Sequence, residues 1–284
     1  MTLRDIYKHY TVQLKNIYPA GEAAAITEII FEHFAGISRS QIITQDNQPA
    51  GEALVKDLET ALEKLLRYTP VQYIIGYAWF CNRKFTVNEH VLIPRPETEE
   101  LVLEVTAYLE RSEGKRVLDI GTGSGCIPIS LKLKIPAANI VSIDISGDAL
   151  KVAAANAVDN KVYVEFIEMD FLNEAARKEL GVFDLIISNP PYIPETENNL
   201  LDLNVVMHEP HLALFVPQND PLVFYKKTEE FASQHLAENG RIFLEVHENF
   251  AKETAALFPE KKYNTVIKKD ISGKERMLVI SRCP

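Results

Sequence analysis

The chain has 284 residues, of which 46% are hydrophobic and 25% are charged. These values are ordinary for a globular protein, and they exclude collagen-like, disordered and coiled-coil chains. Thirty basic and 40 acidic side chains give a net charge of −10, which disfavours a general nucleic-acid binder because such a chain repels polyphosphate.

Residues 1–68 are predicted to form a small helical bundle. Apolar side chains recur at intervals of three and four over Leu3–Ile17 and Ile26–Phe34, and Gly36 ends the second run. A run of leucines over 54–66 predicts a third helix. The segment has mixed charge, which leaves two interpretations open: a bundle that packs on the next domain, or a module that docks the substrate.

Residues 69–95 are predicted to form a β-hairpin that links two domains. Two aromatic or β-branched runs, Tyr77–Phe80 and Lys84–Val87, flank a three-residue turn. Pro96 then suits the first position of a helix, whose first turn is acidic. Arg95, between two prolines at the domain junction, is a candidate substrate contact.

Residues 96–284 are predicted to form an α/β domain. Short apolar runs alternate with helical stretches near 125–133, 148–157, 221–237 and 248–257, which predicts a doubly wound, mostly parallel sheet. The five runs are Arg116–Ile120, Ile140–Asp144, Val162–Ile167, Phe183–Ser188 and Arg241–Val246. Two further strands, near 263–269 and 276–281, are joined by too few residues for a crossover helix and should pair antiparallel. The expected fold is a seven-stranded Rossmann-like sheet.

A glycine loop follows the first of these strands and opens a helix. Its glycines permit positive φ and a close approach of the backbone to a ligand, and the free amides at the helix start can face polar groups. The dinucleotide pattern G-x-G-x-x-G needs a glycine where Cys126 stands, so a nucleoside without pyrophosphate is favoured over a nicotinamide cofactor. An acid two residues before the loop is familiar from methyltransferases that use S-adenosyl-L-methionine (SAM). The candidate cofactor-binding residues are Asp119, Gly121, Thr122, Gly123, Ser124 and Gly125.

Two further strand ends carry candidate cofactor contacts. Asp144 closes the second strand, where a carboxylate can accept hydrogen bonds from both ribose hydroxyls. Asp170 and Phe171 follow the third strand at the usual adenine edge. Phe171 can cover the adenine face and Asp170 can accept from its amino group, but a capping Asp beside a core Phe is an equally good interpretation.

The sequence Asn189-Pro190-Pro191-Tyr192 directly after the fourth strand is the strongest signal in the chain. A planar NH2 group is a poor nucleophile because its lone pair is delocalised. The Asn189 side-chain oxygen and the Pro190 carbonyl can accept its two N–H bonds and aim the nitrogen at the methyl group of SAM. Pro191 confines Pro190 to extended geometry and leaves that carbonyl free, and Tyr192 can stack on the planar group. The candidate catalytic residues are Asn189, Pro190 and Tyr192, all four residues are candidate substrate contacts, and the transfer requires no metal.

These motifs, in this order, resemble an amino-methylating class I SAM-dependent methyltransferase. The flanking sequences Thr69–Gly76, Leu92–Glu99, Glu209–Leu214 and Gly273–Arg276 are similar to the HemK/PrmC family, the peptide chain release factor N(5)-glutamine methyltransferases. The resemblance implies methylation of the glutamine in the Gly-Gly-Gln loop of class 1 release factors. It places SAM contacts at Gly121–Gly125, Asp144, Phe171 and Asn189, and substrate contacts at Asn189–Tyr192.

Two positions depart from what the resemblance leads us to expect. Phe171 stands where we expect Trp, although it keeps an aromatic face. Pro128 lies in the helix after the glycine loop; it costs little in the first turn and kinks the helix if it lies deeper.

The segment 193–220 has little periodicity and is predicted to be a long loop that frames the substrate pocket. Its His208-Glu209-Pro210-His211 sequence lacks the spacing of a helical metal site, so a loop role is favoured. Rival functions are an adenine-amino methyltransferase on DNA or RNA, a ribosomal-protein glutamine methyltransferase, and a SAM-binding sensor without activity. The net charge argues against the first of these, and an intact Asn189 and Tyr192 argue against the sensor.

The cysteines and the apolar runs indicate the cellular compartment of the protein. The chain has three cysteines, Cys81, Cys126 and Cys283, and no C-x-x-C pair, so a disulfide framework or a zinc ribbon is disfavoured. The first eight residues carry charges where a signal peptide needs apolar side chains, and no apolar run of 18 residues occurs. We therefore expect a cytoplasmic, monomeric protein whose partner is a class 1 release factor and which binds neither nucleic acid directly nor a membrane.

Overall fold

The computed structural model describes residues 2–44, 49–109 and 114–283. The chain forms two compact units. The first unit runs to Tyr77 and also includes Asp202–His208, whereas the second comprises Ala78–Leu201 and continues from Glu209. The described ranges hold no helix with both the length and the apolar character needed to cross a bilayer.

The first unit is helical, as predicted. Its helices are α1 (Leu3–Leu14), α2 (Ala20–Ala35), α3 (Arg39–Thr44), α4 (Glu52–Leu66), α5 (Val71–Ile75) and, from the later segment, α10 (Leu203–His208). Thr2 and Asp5 form a capping box that satisfies two free N–H groups at the start of α1. Gly36 ends α2 with a φ of 66°, which glycine adopts without steric cost. The three predicted helices are confirmed, while α3 and α5 are too short to show a periodic pattern.

The predicted hairpin is also confirmed. Strands β1 (Tyr77–Phe80) and β2 (Arg83–Thr86) pair in a two-stranded sheet. Cys81 and Asn82 form the turn with φ values of 49° and 60°, as a tight two-residue hairpin requires.

The second unit is built on a sheet of seven strands, which are β3 (Arg116–Ile120), β4 (Asn139–Asp144), β5 (Glu165–Glu168), β6 (Phe183–Ser188), β9 (Leu236–Glu245), β10 (Tyr263–Lys269) and β11 (Glu275–Arg282). Their order in the sheet is β10-β11-β9-β6-β3-β4-β5, which confirms the predicted fold class. Strands β9, β6, β3, β4 and β5 are parallel, and β11 runs antiparallel to both β9 and β10.

Strand β5 begins later than the predicted Val162. The Val162 amide donates to the Ala157 carbonyl, which ties it back to the preceding helix, and Lys161 has a φ of 57°. Pairing with β4 therefore starts only at Glu165, opposite Val141.

Both faces of the sheet are buried. Val117 and Ile187 pack in one apolar cluster, and their sequence neighbours Leu118 and Ile186 pack in another. Burial on both faces explains the uninterrupted apolar runs of the parallel strands. The helices of this unit are α6 (Pro96–Leu109), α7 (Cys126–Lys134), α8 (Gly147–Asp159), α9 (Glu174–Arg177), α11 (His211–Leu214), α12 (Val223–His235) and α13 (Ala251–Ala256).

The prediction that 193–220 is an irregular loop is wrong. The segment contains a 3-10 helix (Glu195–Leu200), α10, α11, and strands β7 (Ile193–Pro194) and β8 (Phe215–Val216), which pair in parallel. Each element is at most six residues long, so none repeats an apolar position often enough to be recognised by period.

Candidate active site

A cavity lies at the carboxyl ends of β3, β4 and β6, where the loops after parallel strands converge on one edge of the sheet. Its wall combines four of the predicted motifs: the glycine loop, Asp144, the Asp170–Phe171 pair and the Asn189–Pro191 corner. Further wall residues include His90, Val91, Leu92, Met169, Pro210 and Leu212.

The glycine loop reaches the cavity through two of its residues. Gly121 and Gly123 lie in the wall with φ values of 78° and 52°. Gly125 is buried, and a Cβ there would lie 2.9 Å from Ile129 Cδ1 and 3.1 Å from Ala153 Cβ. Gly125 thus permits α7 to pack closely on α8.

Pro128 is the third residue of α7, so it lies in the first turn, where a missing N–H costs no helical hydrogen bond. The carbonyl four residues before Pro128, that of Ser124, accepts from the Asn156 side chain at 2.9 Å. The glycine-loop geometry is therefore compatible with this proline.

Asp119 lies beneath the loop and is fully buried. The Ser142 hydroxyl hydrogen-bonds to its Oδ2, and the same oxygen of Ser142 is 2.5 Å from Thr122 Oγ1. Burial, opposed by these hydrogen bonds, raises the Asp119 pKa to about 7. The cavity wall does not include Asp119, Thr122, Ser124 or Gly125, so the structure does not bring these four predicted cofactor contacts to the cavity.

Asp144 presents a carboxylate at the cavity edge. Its Oδ2 accepts from the Gly123 amide and its Oδ1 from the Ser146 amide, both at 2.9 Å. Burial raises the pKa of this carboxyl group. A carboxylate has about four lone-pair positions, so each oxygen retains capacity for one more donor.

Asp170 and Phe171 both border the cavity, but their side chains are also engaged elsewhere. Asp170 Oδ1 accepts from the Leu172 amide at 2.9 Å. The Phe171 ring is only 4% exposed and packs edge-to-face on Phe231, with Arg177 over its face. This is the arrangement of a capping Asp and a core Phe, while the adenine role stays a prediction.

Asn189 stands directly after β6 and lines the cavity. Its Nδ2 donates to Thr98 Oγ1 at 3.0 Å. Within the ranges that the structure describes, nothing donates to Asn189 Oδ1 or to the Pro190 carbonyl. Two acceptors thus stand unused at adjacent positions of the wall.

Tyr192 is not part of the cavity wall. Its hydroxyl donates to Glu245 Oε1 at 3.1 Å, and its ring packs edge-to-face on His247. Burial, together with the nearby Glu245 charge, raises the pKa of Tyr192. The structure therefore anchors Tyr192 on Glu245 and His247, and its stacking on the substrate stays a prediction.

Arg95 lies outside the cavity wall as well. It pairs with Glu209 Oε1 at 2.5 Å, and Glu209 Oε2 accepts from the Ile93 amide at 3.0 Å. Glu209 is 4% exposed, so the pair fastens the loop before α6 to the start of α11. Among the described residues, no group of three or more His, Cys, Asp or Glu side chains is placed to hold a metal.

Sequence reasoning gave no role to Thr98 or Glu245, both of which are buried behind Asn189. A signal existed for Glu245, because it is an acid inside the apolar run Arg241–Val246. Buried acids are uncommon unless they are hydrogen-bonded or paired.

Known proteins match this chain over nearly its whole length. A family model described as Methyltransferase small domain matches residues 100–209, and one described as PrmC N-terminal domain matches residues 5–76. A release factor glutamine methyltransferase of Flavobacterium psychrophilum is 38% identical over 286 residues, 99% of each chain. One from Lactococcus lactis subsp. lactis is 42% identical over 228 residues, 80% of this chain and 82% of that relative.

The chain belongs to the release factor glutamine methyltransferase family. A solved structure of a release-factor-specific protein-(glutamine-N5) methyltransferase from Alicyclobacillus acidocaldarius is 33% identical and covers 70% of this chain and 100% of that chain, with a TM-score of 0.45. The curated relatives and the two family models confirm the predicted family, and this release factor glutamine methyltransferase homologue uses SAM as its cofactor.

The cavity of this family member suits SAM on its own chemistry. Gly121 and Gly123 leave the floor without side chains, and a Cβ at either would meet nothing within 4 Å. Asp144 offers the acceptors that a ribose diol needs. Asn189 lies in the same wall, so a cofactor held in this cavity would share one space with the two free acceptors.

Proposed function

We propose that this enzyme transfers the methyl group of SAM to the side-chain amide nitrogen of the glutamine in the Gly-Gly-Gln motif of a class 1 peptide chain release factor. The observation that carries the proposal is the pair of unused acceptors, Asn189 Oδ1 and the Pro190 carbonyl, in the cavity that suits SAM. The names of the curated relatives support this choice of substrate.

An amide NH2 group has two N–H bonds, and the Asn189–Pro190 corner offers two acceptors for them. When both bonds are held, rotation about the amide is restricted and one face of the nitrogen is directed along the wall toward the cofactor. Bound SAM would supply the methyl group: its sulfur–carbon bond would break as the carbon–nitrogen bond forms, the sulfur would leave as a neutral thioether, and the amide nitrogen would release one N–H proton to water. Positioning of this kind can contribute roughly 7–11 kcal/mol to the lowering of a barrier.

Asp144 would bind the ribose hydroxyls of the cofactor through its free lone pairs. Gly121 and Gly123 would let the backbone approach the cofactor closely, with Asp170 and Phe171 at the adenine end. Pro191 would hold the Pro190 carbonyl in extended geometry. These assignments rest on the positions of the residues in or beside the cavity wall.

We extend the proposal to the organisation of the whole protein. The helical bundle of residues 1–68 docks the release factor, residues 69–95 link it, and residues 96–284 carry the chemistry. The match of residues 5–76 to the PrmC N-terminal domain supports a bundle characteristic of this family. The enzyme would act as a cytoplasmic monomer, because one chain contributes every residue of the proposed site, and a net charge of −10 favours a protein substrate over nucleic acid.

Parallel transfer assays test the substrate. Labelled methyl groups from SAM should appear in a purified class 1 release factor, and not in a release factor whose Gly-Gly-Gln glutamine is replaced by glutamate, which lacks the amide nitrogen. Purified ribosomal proteins and DNA are the competing substrates. Labelling of either of them in preference to the release factor would overturn the proposal in favour of the corresponding rival.

The variant Asn189→Ala tests the role of the corner. We expect SAM binding to remain largely intact while single-turnover methyl transfer slows at least ~100-fold, because the orientation of the amide is lost. Asn199→Ala, at an exposed asparagine outside the cavity wall, is the matched control and should react at the wild-type rate. Wild-type turnover by Asn189→Ala would remove Asn189 from the mechanism.

A further inference from the structure

We infer that Thr98 and Glu245 are positioning residues that decide which end of the Asn189 amide faces the cavity. The inference deepens the proposed function, on which it rests, since it concerns how that corner comes to present acceptors. Neither residue lines the cavity, and both act through Asn189 or Tyr192.

The sheet brings Asn189 and Glu245 together. In the parallel pair β6–β9, Ser188 is opposite Leu244, so the next residue on each strand stands at the same edge. Thr98, the third residue of α6, lies between the two side chains. Its hydroxyl donates to Glu245 Oε2 at 2.7 Å and accepts from Asn189 Nδ2 at 3.0 Å. Thr98 and Glu245 are 3% and 2% exposed, so water does not compete for these bonds.

The direction of this hydrogen-bond chain follows from proton counting. An ionised carboxylate can only accept, so the single hydroxyl proton of Thr98 must point toward Glu245. The Thr98 oxygen can then only accept on its other side, which selects the NH2 end of Asn189. The amide oxygen is left to face the cavity, where an acceptor for the substrate N–H is needed. The two ends of an asparagine amide have nearly the same shape, so this polarity selects between them where packing cannot.

The second oxygen of the same carboxylate serves the other end of the motif. Glu245 Oε1 accepts from the Tyr192 hydroxyl, so one buried acid anchors residues 189 and 192 together. Burial raises the pKa of Glu245, while the hydrogen bonds from Thr98 and Tyr192 and the positive charge of Arg276 oppose that rise and favour the ionised form. The Tyr225 hydroxyl donates to the Glu245 backbone carbonyl at 3.0 Å and fixes the strand end.

Thr98→Val is the primary test. It keeps the shape of the side chain and removes the hydroxyl, so the Asn189 amide loses its acceptor and both orientations become accessible. We expect kcat for release-factor methylation to fall about 10-fold or more, with little change in SAM affinity by calorimetry. Thr98→Ser, which retains the hydroxyl, should restore most of the rate.

Thr106→Val is the matched control. Thr106 lies on the same helix, is 7% exposed, and donates its hydroxyl to the Val102 carbonyl within that helix. The variant removes another buried hydroxyl of α6, eight residues after Thr98 and not bonded to Asn189. It should leave kcat unchanged. Loss of rate in both variants would mean that Thr98 supports folding rather than the orientation of Asn189, and wild-type kcat in Thr98→Val would also overturn the inference.

Glu245→Gln tests the direction of the chain. A glutamine can donate to Thr98, whose proton would then turn toward Asn189 and select the amide oxygen, so the NH2 group would face the substrate. We expect a loss in kcat, and the double variant with Thr98→Val should be no slower than the slower single variant, because both changes act through one chain. Losses that multiply in the double variant would contradict this coupling.

A measurement without substrate separates this inference from the proposed function. In protein labelled with 15N-asparagine, the Asn189 side-chain amide is identified by its disappearance in Asn189→Asp. One of its protons should exchange slowly in the wild type and in Thr106→Val, and quickly in Thr98→Val. Equal exchange in all three proteins would overturn the inference, whichever substrate the enzyme methylates; failure of the wild type to methylate the release factor would overturn only the proposed function.

Discussion

Single side chains at the cavity differ in how much of their hydrogen-bonding capacity the protein itself uses. Each carboxylate oxygen of Asp144 accepts one backbone hydrogen bond: Oδ2 from the Gly123 amide and Oδ1 from the Ser146 amide. The NH2 group of Asn189 donates to the Thr98 hydroxyl, and the side-chain oxygen of Asn189 accepts no hydrogen bond from the described residues. What remains unused at these two residues is acceptor capacity, which matches ligands that bring hydroxyl and amide donors.

Asp144→Ala removes the carboxylate that we assign to the ribose hydroxyls. We expect the affinity for SAM to fall by roughly 1.5–3 kcal/mol, the contribution typical of hydrogen bonds to a charged group. Titration calorimetry measures the change. Asp148→Ala is the control, because Asp148 is exposed, pairs with Lys151 and lies outside the cavity wall. Unchanged affinity in Asp144→Ala would exclude the carboxylate from the site.

At the scale of elements, the loop between β3 and α7 has two tasks. Gly121 and Gly123 form part of the cavity wall, whereas Gly125 lets α7 lie against α8. Pro128 is accommodated because α7 begins only two residues before it. The same short segment therefore sets both the approach of a ligand to the backbone and the packing of α7 on α8.

The variants Gly125→Ala and Gly121→Ala separate the packing role of the loop from its role in the cavity wall. Both positions have positive φ, 79° and 78°, so each substitution carries a similar backbone cost of roughly 1–2 kcal/mol. Only at position 125 does the new Cβ also meet neighbours, at 2.9 and 3.1 Å. We expect Gly125→Ala to lower the free energy of unfolding by a further ~1–3 kcal/mol in urea denaturation. Equal losses would show that the close packing of α7 is not limiting.

Over the whole molecule, buried acids are held in different ways. Glu209 is paired with Arg95, and Glu245 accepts from two hydroxyl groups near Arg276. Asp119 has a hydrogen bond from Ser142 but no cation in contact, and its Oδ1 has no partner among the described residues. Its ionised form is therefore the least compensated, and its pKa of about 7 reflects this burial.

This raised pKa predicts a pH dependence of stability. Between pH ~4 and ~7 the folded protein keeps a proton on Asp119 that the unfolded chain has already released, so stability falls as pH rises and the loss is complete above the folded pKa. Asp119→Asn cannot titrate. We expect its stability relative to the wild type to increase by at least ~1 kcal/mol between pH 4.5 and pH 8, measured by urea denaturation without cofactor.

The exposed Asp148→Asn is the control for this comparison and should show no such trend over the same range, because the pKa of Asp148 is lowered by Lys151. A constant difference in stability between Asp119→Asn and the wild type at every pH would contradict the prediction.

The sequence by itself determined the long helices, the strands of the main sheet and the residues that gather at one edge of that sheet. Uninterrupted apolar runs and the short link between β10 and β11 predicted a mostly parallel sheet with an antiparallel end, and the glycine loop, Asp144 and Asn189–Pro191 were placed at one edge of it. These inferences succeeded because period, turn chemistry and strand direction are local properties, and parallel strands bring their ends together without further information.

Only the tertiary structure decided how the side chains at that edge are engaged. Asn189 and Thr98 are 91 positions apart in sequence, and Thr98 and Glu245 are 147 apart. The same distance in sequence hid the pairing of Arg95 with Glu209, which keeps Arg95 out of the cavity wall. Such bonds depend on how α6, β6 and β9 pack, and no local pattern encodes the position of a partner on another element. The sequence thus named the groups to which we assign binding, and packing fixed which of their atoms are left free.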